Sequence, residues 1–455
     1  MENTPTSVDQ TFREVGVVGC DPRSARLYEH GWQSWSPTTT YSLHDRPYRP
    51  SGETTRVLCY RPDRSVPEGC FQGEGLLAVQ ETANGPVHVF AGRPGGDAVP
   101  SIRARVDNNA VVIASDGDVQ HTVDDGPGGM AGALGRWADR YAEALGVGPI
   151  RPAPTIWCSW YHYFTKVTEQ DMLENLDAID QLQLPVDVVQ LDDGYQAEIG
   201  DWLTLSGRFR SLRDLVARIR DRGRRAGIWT APFLAGERSR LYAEHPEWLV
   251  ERAFAGHNWD QDLFALDITH RDAAQYVHHV FSTLRELGID YFKVDFIYAG
   301  ALEGRRHEDI PAVEAYRRGV RLIRDAIGPD SYLLGCGAPI LPSVGLVDAM
   351  RVSPDTGPEY QPPGGDLSQP SGRSAALSGV GRAWQHGRFW VNDPDCLIAR
   401  PQVQRRDDWA AHVERYGGLR GSSDRLRGLD EWGLHTTRRL LSTVPPPKPF
   451  ALDAG

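Results

Sequence analysis

"DYFKVDF", residues 290–296, places two charged side chains inside an otherwise apolar run. Apolar residues occupy positions 291, 292, 294 and 296, a pattern typical of a buried strand. Residues i and i+2 of a strand point to the same face. Lys293 and Asp295 therefore share one side of the predicted strand, and that side must be polar, solvated or functional.

From residue 155 onward, apolar runs alternate with segments of helical periodicity, and "DYFKVDF" lies in the fourth run. The runs are "TIWCSWYHYF", "VDVVQLDDGY", "AGIWTAPFL", "IDYFKVDFIY", "SYLLGCGAP", "DAMRVSPD" and "RFWVNDPD", with an eighth expected near "GGLRGSSD". Strands and helices in this alternation predict an α/β fold, a (β/α)8 TIM barrel. A doubly wound sheet is the alternative, but no G-x-G-x-x-G follows any of the runs.

The sequence pattern of the N-terminal part differs from the alternation of the predicted barrel. Residues 1–130 contain short β-runs such as "TRVLCYR" and "NAVVIAS", separated by Gly, Pro and Asp turns, which predict an antiparallel, sandwich-like β domain. Residues 131–154 are predicted to form a helix and a linker, because "GVGPIRPAP" breaks the helical pattern. The barrel is expected over 155–435, followed by a short C-terminal tail, 436–455.

The composition is that of an ordinary globular protein, with 40% hydrophobic and 24% charged residues among 455. The formal net charge of -12 argues against nucleic acid as a partner, because a phosphate backbone attracts positive charge. No apolar run reaches the roughly 18 residues of a spanning helix, so no membrane association is predicted.

Two further features predict a cytoplasmic protein. The first residues, "MENTPTSVDQTFREVG", show neither the basic nor the apolar region of a secretory signal. The cysteines are scattered without a CxxC pair, which favours a reducing compartment over a zinc site or a disulfide framework.

Acidic residues stand at the ends of four predicted strands: Asp192 with Asp193, then Asp295, then Asp355, then Asp393 with Asp395. The C-terminal ends of barrel strands build the active site together. A single acid at such a position often caps a helix or forms a turn. The whole set, with Lys293 and Arg351 nearby, instead predicts one pocket, although we expect the last two acids to hold loops.

Glycoside hydrolysis is the chemistry that uses carboxylates in this way, because one attacks or steadies the anomeric carbon while another protonates the leaving oxygen. A metal site would need histidine or cysteine beside the acids, whereas His162 and His386 are isolated and no HExxH occurs. The sequence therefore predicts no metal and no cofactor.

The motifs resemble those of glycoside hydrolase family 36, in particular its bacterial and archaeal α-galactosidases. In chain order they are "HGWQSWSP", "WCSWYHYF", "QLDDGYQAEIGDWL", "AGIWTAPFLAGERSRLYAEHPEWLV", "YFKVDFIYAGALEGRRH", "LLGCGAP", "MRVSPDTGP" and "RFWVNDPDCLIAR". They span residues 30 to about 430, which is nearly the whole chain.

The resemblance implies a retaining double displacement with Asp295 as the nucleophile and Asp355 as the acid/base. Retention would place their carboxyl groups about 5–5.5 Å apart. The resemblance also implies a set of substrate-binding residues: Asp192 and Asp193 for sugar hydroxyls, Lys293 and Arg351 for ring hydroxyls, Trp160 and Trp229 as aromatic walls, Cys336 as a pocket-lining residue, and Trp35 reaching in from the N-terminal domain.

The predicted function is therefore hydrolysis of terminal α-galactosyl residues from small-molecule oligosaccharides or glycosides, by an enzyme for which a homo-oligomer is one option. Within the same chemistry, an α-N-acetylgalactosaminidase or an α-galactosyl transglycosylase is the alternative. A non-catalytic carbohydrate-binding protein is a third reading, but a binding module has no need for both Asp295 and Asp355.

Overall fold

The computed structural model describes residues 12–50 and 52–451, so the ends of the predicted N-terminal domain and C-terminal tail (1–11 and 452–455) lie outside the described residues. Nine strands come first: β1 (Arg13–Gly19), β2 (Arg26–Glu29), β3 (Thr39–Ser42), β4 (Cys70–Glu74), β5 (Leu76–Gln80), β6 (Val87–Gly92), β7 (Ser101–Asp107), β8 (Ala110–Ser115) and β9 (Val119–Asp124). They form two antiparallel sheets with the orders β1-β8-β7-β4 and β3-β2-β5-β6-β9.

The two N-terminal sheets share one apolar core. In β8, Val111 and Ile113 are buried and alternate with more exposed residues, so one face of the sheet points inward. They belong to the same buried cluster as Leu77, Val79 and Phe90 of the other sheet. The fold of this region is therefore a sandwich of antiparallel sheets.

Eight parallel strands follow, and their order in space is their order in the chain. They are β10 (Thr155–Cys158), β11 (Val188–Leu191), β12 (Arg225–Thr230), β16 (Ile289–Val294), β17 (Tyr332–Gly335), β18 (Ala349–Arg351), β19 (Val391–Asp393) and β20 (Arg420–Ser422). β20 also pairs with β10, and the Leu419 amide donates to the Asn392 carbonyl across the last gap, at 3.0 Å. The predicted (β/α)8 barrel is confirmed, with all eight expected strands.

Helices connect the strands and pack outside them. They are α1 (Glu53–Cys59), α2 (Gly129–Ala144), α3 (Trp160–Tyr163), α4 (Glu169–Gln181), α5 (Leu212–Asp221), α6 (Arg240–Glu244), α7 (Arg271–Glu286), α8 (Ala312–Ile327), α9 (Gly372–Gly381), α10 (Arg406–Tyr416) and α11 (Glu431–Leu441). Side chains fix several starts. At α4, Thr168 accepts from the Asp171 amide, and Asp171 accepts in return from the Thr168 amide. Within the described residues, no helix is long and apolar enough to cross a membrane.

One element of the barrel was not predicted. After β12 the chain forms a small antiparallel sheet of β13 (Leu234–Gly236), β14 (Leu249–Asn258) and β15 (Gln261–Leu266). Trp259 and Asp260 form its tight hairpin turn, with φ of 53° and 54°. Both residues are left-handed, as a two-residue turn of this kind requires, yet neither is the glycine or asparagine by which such turns are recognised. The turn therefore left no clear signal in the sequence.

A fully buried arginine joins the N-terminal sandwich to the barrel. Arg382 follows α9, and its two terminal nitrogens donate to five backbone carbonyls, four of them in the "GWQSWS" segment, residues 31–36. The fifth belongs to Val352, in the loop that carries Asp355. Burial lowers the pKa of Arg382 to about 10. The side chain thus acts as a bracket between the two parts of the chain.

We expect Arg382→Met to lower the melting temperature by several degrees, because it leaves buried carbonyls without donors, each at a cost of about 1–3 kcal/mol. Arg240→Met is the matched control, since the Arg240 side chain is exposed and forms a surface ion pair with Glu244, a kind of contact that contributes little to stability. Differential scanning calorimetry would compare the two. Equal melting temperatures for both variants would contradict the role of the bracket.

Candidate active site

Lys293 lies between two carboxylates at the C-terminal end of β16. Its ammonium nitrogen Nζ is 3.0 Å from Asp192 Oδ2 and 3.9 Å from Asp295 Oδ2, and all three residues are buried. Burial alone would lower the pKa of Lys293, but the charges of Asp192 and Asp295 raise it well above its usual value. Lys293 therefore stays cationic and compensates the charge of the two acids.

Asp295 is held by two N–H donors in addition to the nearby ammonium. Trp229 Nε1 donates to its Oδ2 at 3.0 Å, and the Phe296 amide donates to its Oδ1 at 2.8 Å. Phe296 has a φ of 52°, which is uncommon for a bulky residue and costs backbone strain. Such strain persists where the surroundings fix the geometry, and here it aims the amide at the carboxylate.

Asp192 and Asp193 follow β11 directly and face different partners. Asp192 Oδ2 accepts from Gln190 Nε2 at 2.6 Å as well as from Lys293. Asp193 accepts from Gln196 Nε2 at 2.6 Å and from Trp259 Nε1, in the β14–β15 turn, at 2.7 Å. Burial raises the pKa of Asp193 to about 6. Asp193 thus titrates closer to neutral pH than an ordinary aspartate.

Arg351, the last residue of β18, connects three acids. Nη1 is 3.0 Å from Asp355 Oδ1, Nε is 3.1 Å from Asp393 Oδ2, and Nη2 is 2.7 Å from Asp395 Oδ1. The Asp395 carboxylate is also bound by the hydroxyl of Tyr161. Burial alone would lower the pKa of Arg351, but Asp393 and Asp395 raise it well above its usual value. Asp393 and Asp395 therefore orient the guanidinium that touches Asp355.

Asp355 differs from Asp295 in exposure and surroundings. Its side chain is 30% exposed and lines an open cavity, whereas Asp295 is only 8% exposed at the side chain. Burial of its remaining surface raises the pKa of Asp355, while the charges of Arg351 and Lys293 lower it and those of Asp295 and Asp192 raise it further. A carboxyl group with a raised pKa is suited to donate a proton near neutral pH.

Three more residues surround these acids. Cys336 follows β17, and its amide donates to the Val294 carbonyl at 2.8 Å, while burial raises the pKa of its thiol well above the usual range. Trp35 comes from the N-terminal region and packs edge-on against Phe296, with ring centroids 4.8 Å apart. Trp160 lines a cavity of about 480 Å³ together with Asp355.

The structure thus brings the ten residues singled out in the sequence to one end of the barrel. Sequence reasoning missed Gln190 and Trp259. Gln190 could have been found, because it stands two residues before Asp192 and so shares its face of β11, by the same rule that paired Lys293 with Asp295. The signal for Trp259 was weaker, a lone tryptophan within the polar stretch "HNWDQD".

The chemistry of this site rests on its carboxyl groups. Within residues 12–50 and 52–451, no group of three or more His, Cys, Asp or Glu side chains is arranged to hold a metal ion. Two carboxyl groups have different surroundings: Asp295 lies beside the Lys293 ammonium and is buried, whereas Asp355 is more exposed and has a raised pKa. A pair of this kind, at the C-terminal end of a (β/α)8 barrel, defines the class of barrel glycosidases.

Comparison with known proteins narrows this class. Residues 150–319 match the family model described as Melibiase, which confirms the predicted family resemblance. In structure, the chain is similar to the α-galactosidase of Thermus thermophilus in complex with p-nitrophenyl α-D-galactopyranoside. That similarity has a TM-score of 0.79 at 27% identity and covers 96% of this chain and 92% of the other.

Curated relatives match over shorter segments. The bifunctional α-galactosidase/sucrose kinase AgaSK of Mediterraneibacter gnavus is 28% identical over 32% of this chain, and the α-xylosidase XylQ of Lactiplantibacillus pentosus is 27% identical over 34%. The alignments cover only 17% and 22% of these two relatives. The chain therefore spans only about a fifth of the length of these two relatives, whose names refer to α-galactoside and α-xyloside substrates.

We expect Lys293→Met to lower the melting temperature strongly near pH 7, because it leaves Asp192 and Asp295 buried without a counter-charge, at a cost of about 3–5 kcal/mol. A buried negative charge without a partner is costly only while the charge is present, so we expect the loss to shrink as the pH falls towards 4, where carboxyl groups can take up protons.

Lys166→Met is the matched control, since Lys166 is exposed. Melting temperatures of the wild type and both variants would be measured between pH 4 and pH 7. A Lys293→Met deficit that is independent of pH in this range would contradict the electrostatic account.

Proposed function

We propose that the protein is a retaining exo-glycosidase that hydrolyses terminal α-D-galactosyl residues. The observation that carries the proposal is the contrast between two carboxyl groups at the C-terminal ends of barrel strands: Asp295, which a lysine and two N–H donors surround, and Asp355, which has a raised pKa and lines an open cavity. The melibiase match and the similarity to a galactoside-bound α-galactosidase support the choice of sugar.

In the first step, the Asp295 carboxylate attacks the anomeric carbon and forms a glycosyl ester. Asp355 gives its proton to the glycosidic oxygen as the bond to the aglycone breaks. Lys293 lies beside the Asp295 carboxylate and the two N–H donors hold it in place, so the nucleophile needs no separate base. The raised pKa of Asp355 keeps the acid protonated at pH values where an ordinary aspartate has lost its proton.

In the second step, Asp355 is a carboxylate and takes a proton from water. The water oxygen attacks the anomeric carbon and releases Asp295, so two inversions give retention. Attachment of galactose to Asp295 removes the negative charge of that residue, which lowers the pKa of Asp355 and suits it to act as a base.

The other side chains of the pocket are assigned to the sugar. Asp192 and Asp193 accept from sugar hydroxyls, Lys293 and Arg351 donate to them, and the ring lies among Trp35, Trp160, Trp229 and Cys336. An α-N-acetylgalactosaminidase or a transglycosylase would use the same machinery. The α-xylosidase among the relatives adds a pentoside to the substrates that must be compared.

Three further parts of the proposal concern the whole protein. The chain is proposed to consist of an N-terminal domain (1–130), a helix and linker (131–154), the barrel (155–435) and a tail (436–455). Helix α11 (Glu431–Leu441) crosses the last of these boundaries. A cytoplasmic location is supported by Cys20, Cys59, Cys158, Cys336 and Cys396, which form no disulfide within the part of the chain that the structure describes. Self-association into a homo-oligomer is tested by the molar mass in solution from light scattering.

We expect the wild type to hydrolyse 4-nitrophenyl α-galactoside faster than the α-N-acetylgalactosaminide, α-glucoside and α-xyloside analogues. Asp295→Ala and Asp355→Ala should each lose about 10²–10⁴-fold or more in kcat/KM. Azide should rescue them differently. It replaces the nucleophile in Asp295→Ala and gives the β-galactosyl azide, but it attacks the glycosyl-enzyme of Asp355→Ala and gives the α-azide.

Asp407→Asn is the control, because Asp407 is an exposed acid in the first turn of the outer helix α10. Full activity of Asp295→Ala, or the same azide anomer from both alanine variants, would contradict the assignment. Faster hydrolysis of one of the other glycosides would leave the mechanism in place and change the substrate.

We expect Trp259→Phe to move the acid limb of the kcat/KM profile to higher pH. Asp193 accepts sugar hydroxyls best when ionised, and the Trp259 N–H stabilises that form. Its loss raises the pKa of Asp193 from about 6 and lowers kcat/KM about tenfold or more on the acid side. Trp432→Phe, at a tryptophan that packs against Arg406, is the control. An unshifted acid limb in Trp259→Phe would contradict this role.

A further inference from the structure

The cavity of about 480 Å³ beside Asp355 extends the pocket outward. Asp355 forms part of its wall, together with Trp160 and Phe164 on one side and the proline-containing loop 357–370 on the other. Under the proposed mechanism, the proton of Asp355 goes to the glycosidic oxygen, so the leaving group must begin at this carboxyl group. The cavity is therefore the space into which the aglycone extends.

Phe164, which lines this cavity, has a strained backbone conformation. Its φ of 49° and ψ of -145° lie in a region that residues other than glycine rarely adopt. The residue is also 45% exposed, so burial in a core does not offset the strain. An exposed, strained phenylalanine at the rim of an active-site cavity is a candidate for ligand contact.

The ring of Phe164 is fixed against a second aromatic ring. The centroids of Phe164 and Trp160 are 5.2 Å apart, and the ring planes meet at 74°. This edge-to-face arrangement holds Phe164 from one side and leaves apolar ring surface towards the cavity. Trp160 begins the short helix α3 directly after β10, so the rigid barrel positions the pair.

The wall of the cavity also contains polar groups. Gln361 and Gln404 both line the cavity, and their side chains are held in place, Gln361 by Arg373 Nη1 at 2.9 Å and Gln404 by the Tyr360 amide at 3.0 Å. An apolar ring on one side and amide groups on the other suit a ligand with an apolar face and polar edges. Sugar rings and substituted aryl rings have this character.

We propose that Phe164, supported by Trp160, is an aromatic platform for the aglycone and makes the enzyme selective for α-galactosides whose leaving group is a ring. The assignment rests on the proposed function, since it needs Asp355 as the acid that meets the leaving oxygen. It adds a specificity-determining residue that contacts the leaving group and not the galactosyl ring.

The test compares leaving groups of different size. The substrates are 4-nitrophenyl α-galactoside, melibiose and α-galactosyl fluoride, whose leaving group is one atom and cannot reach the platform. We expect Phe164→Ala to lower kcat/KM about tenfold for the first two substrates and to leave the value for the fluoride within about twofold. Phe164→Tyr, which keeps the ring, should retain the wild-type values.

Tyr48→Ala is the matched control, because Tyr48 is another exposed aromatic residue, 41% accessible, in the N-terminal region. It should not change the ratio between the substrates. Equal values for Phe164→Ala and the wild type on all three substrates, or an equal loss on all three, would overturn the platform. Failure of the wild type to cleave even the fluoride would instead contradict the proposed function, and with it this inference.

Discussion

The buried ammonium of Lys293 is the interaction on which the site depends. Two carboxylates lie beside its nitrogen Nζ: Asp192 Oδ2 at 3.0 Å and Asp295 Oδ2 at 3.9 Å. Carboxylates this deeply buried would take up protons if nothing compensated their charge. Lys293 places a positive charge beside the proposed nucleophile, and a buried ion pair of this kind is better understood as serving function than as adding stability.

Arg351 compensates negative charge in the other half of the site, as Lys293 does in the first half. Its guanidinium is shared among Asp355, Asp393 and Asp395, and only Asp355 is open to the cavity. Asp355 therefore shares the charge of the guanidinium with two other acids, and burial keeps the pKa of Asp355 above the ordinary value. One lysine and one arginine, on strands β16 and β18, thus give the proposed nucleophile and the proposed acid different surroundings.

Much of this arrangement could be predicted because it follows from periodicity. Alternation within a strand paired Lys293 with Asp295, and the barrel rule placed acids at strand ends in one pocket. The Trp259 turn could not be predicted, because it lacks glycine and its contact with Asp193 joins residues 66 positions apart. The Arg382 bracket was also missed, since its partners are backbone carbonyls, which carry no side-chain signature. Asp393 and Asp395 do more than hold loops, because they orient Arg351.

The most direct test of the central claim is to trap the glycosyl-enzyme. A 5-fluoro galactosyl fluoride slows the second step more than the first, so the intermediate accumulates and can be digested and sequenced by mass spectrometry. The account predicts one added fluorogalactosyl group, on the peptide that contains Asp295 and specifically on that residue. A label on another residue, or turnover of the probe to a product of inverted configuration without any label, would contradict it.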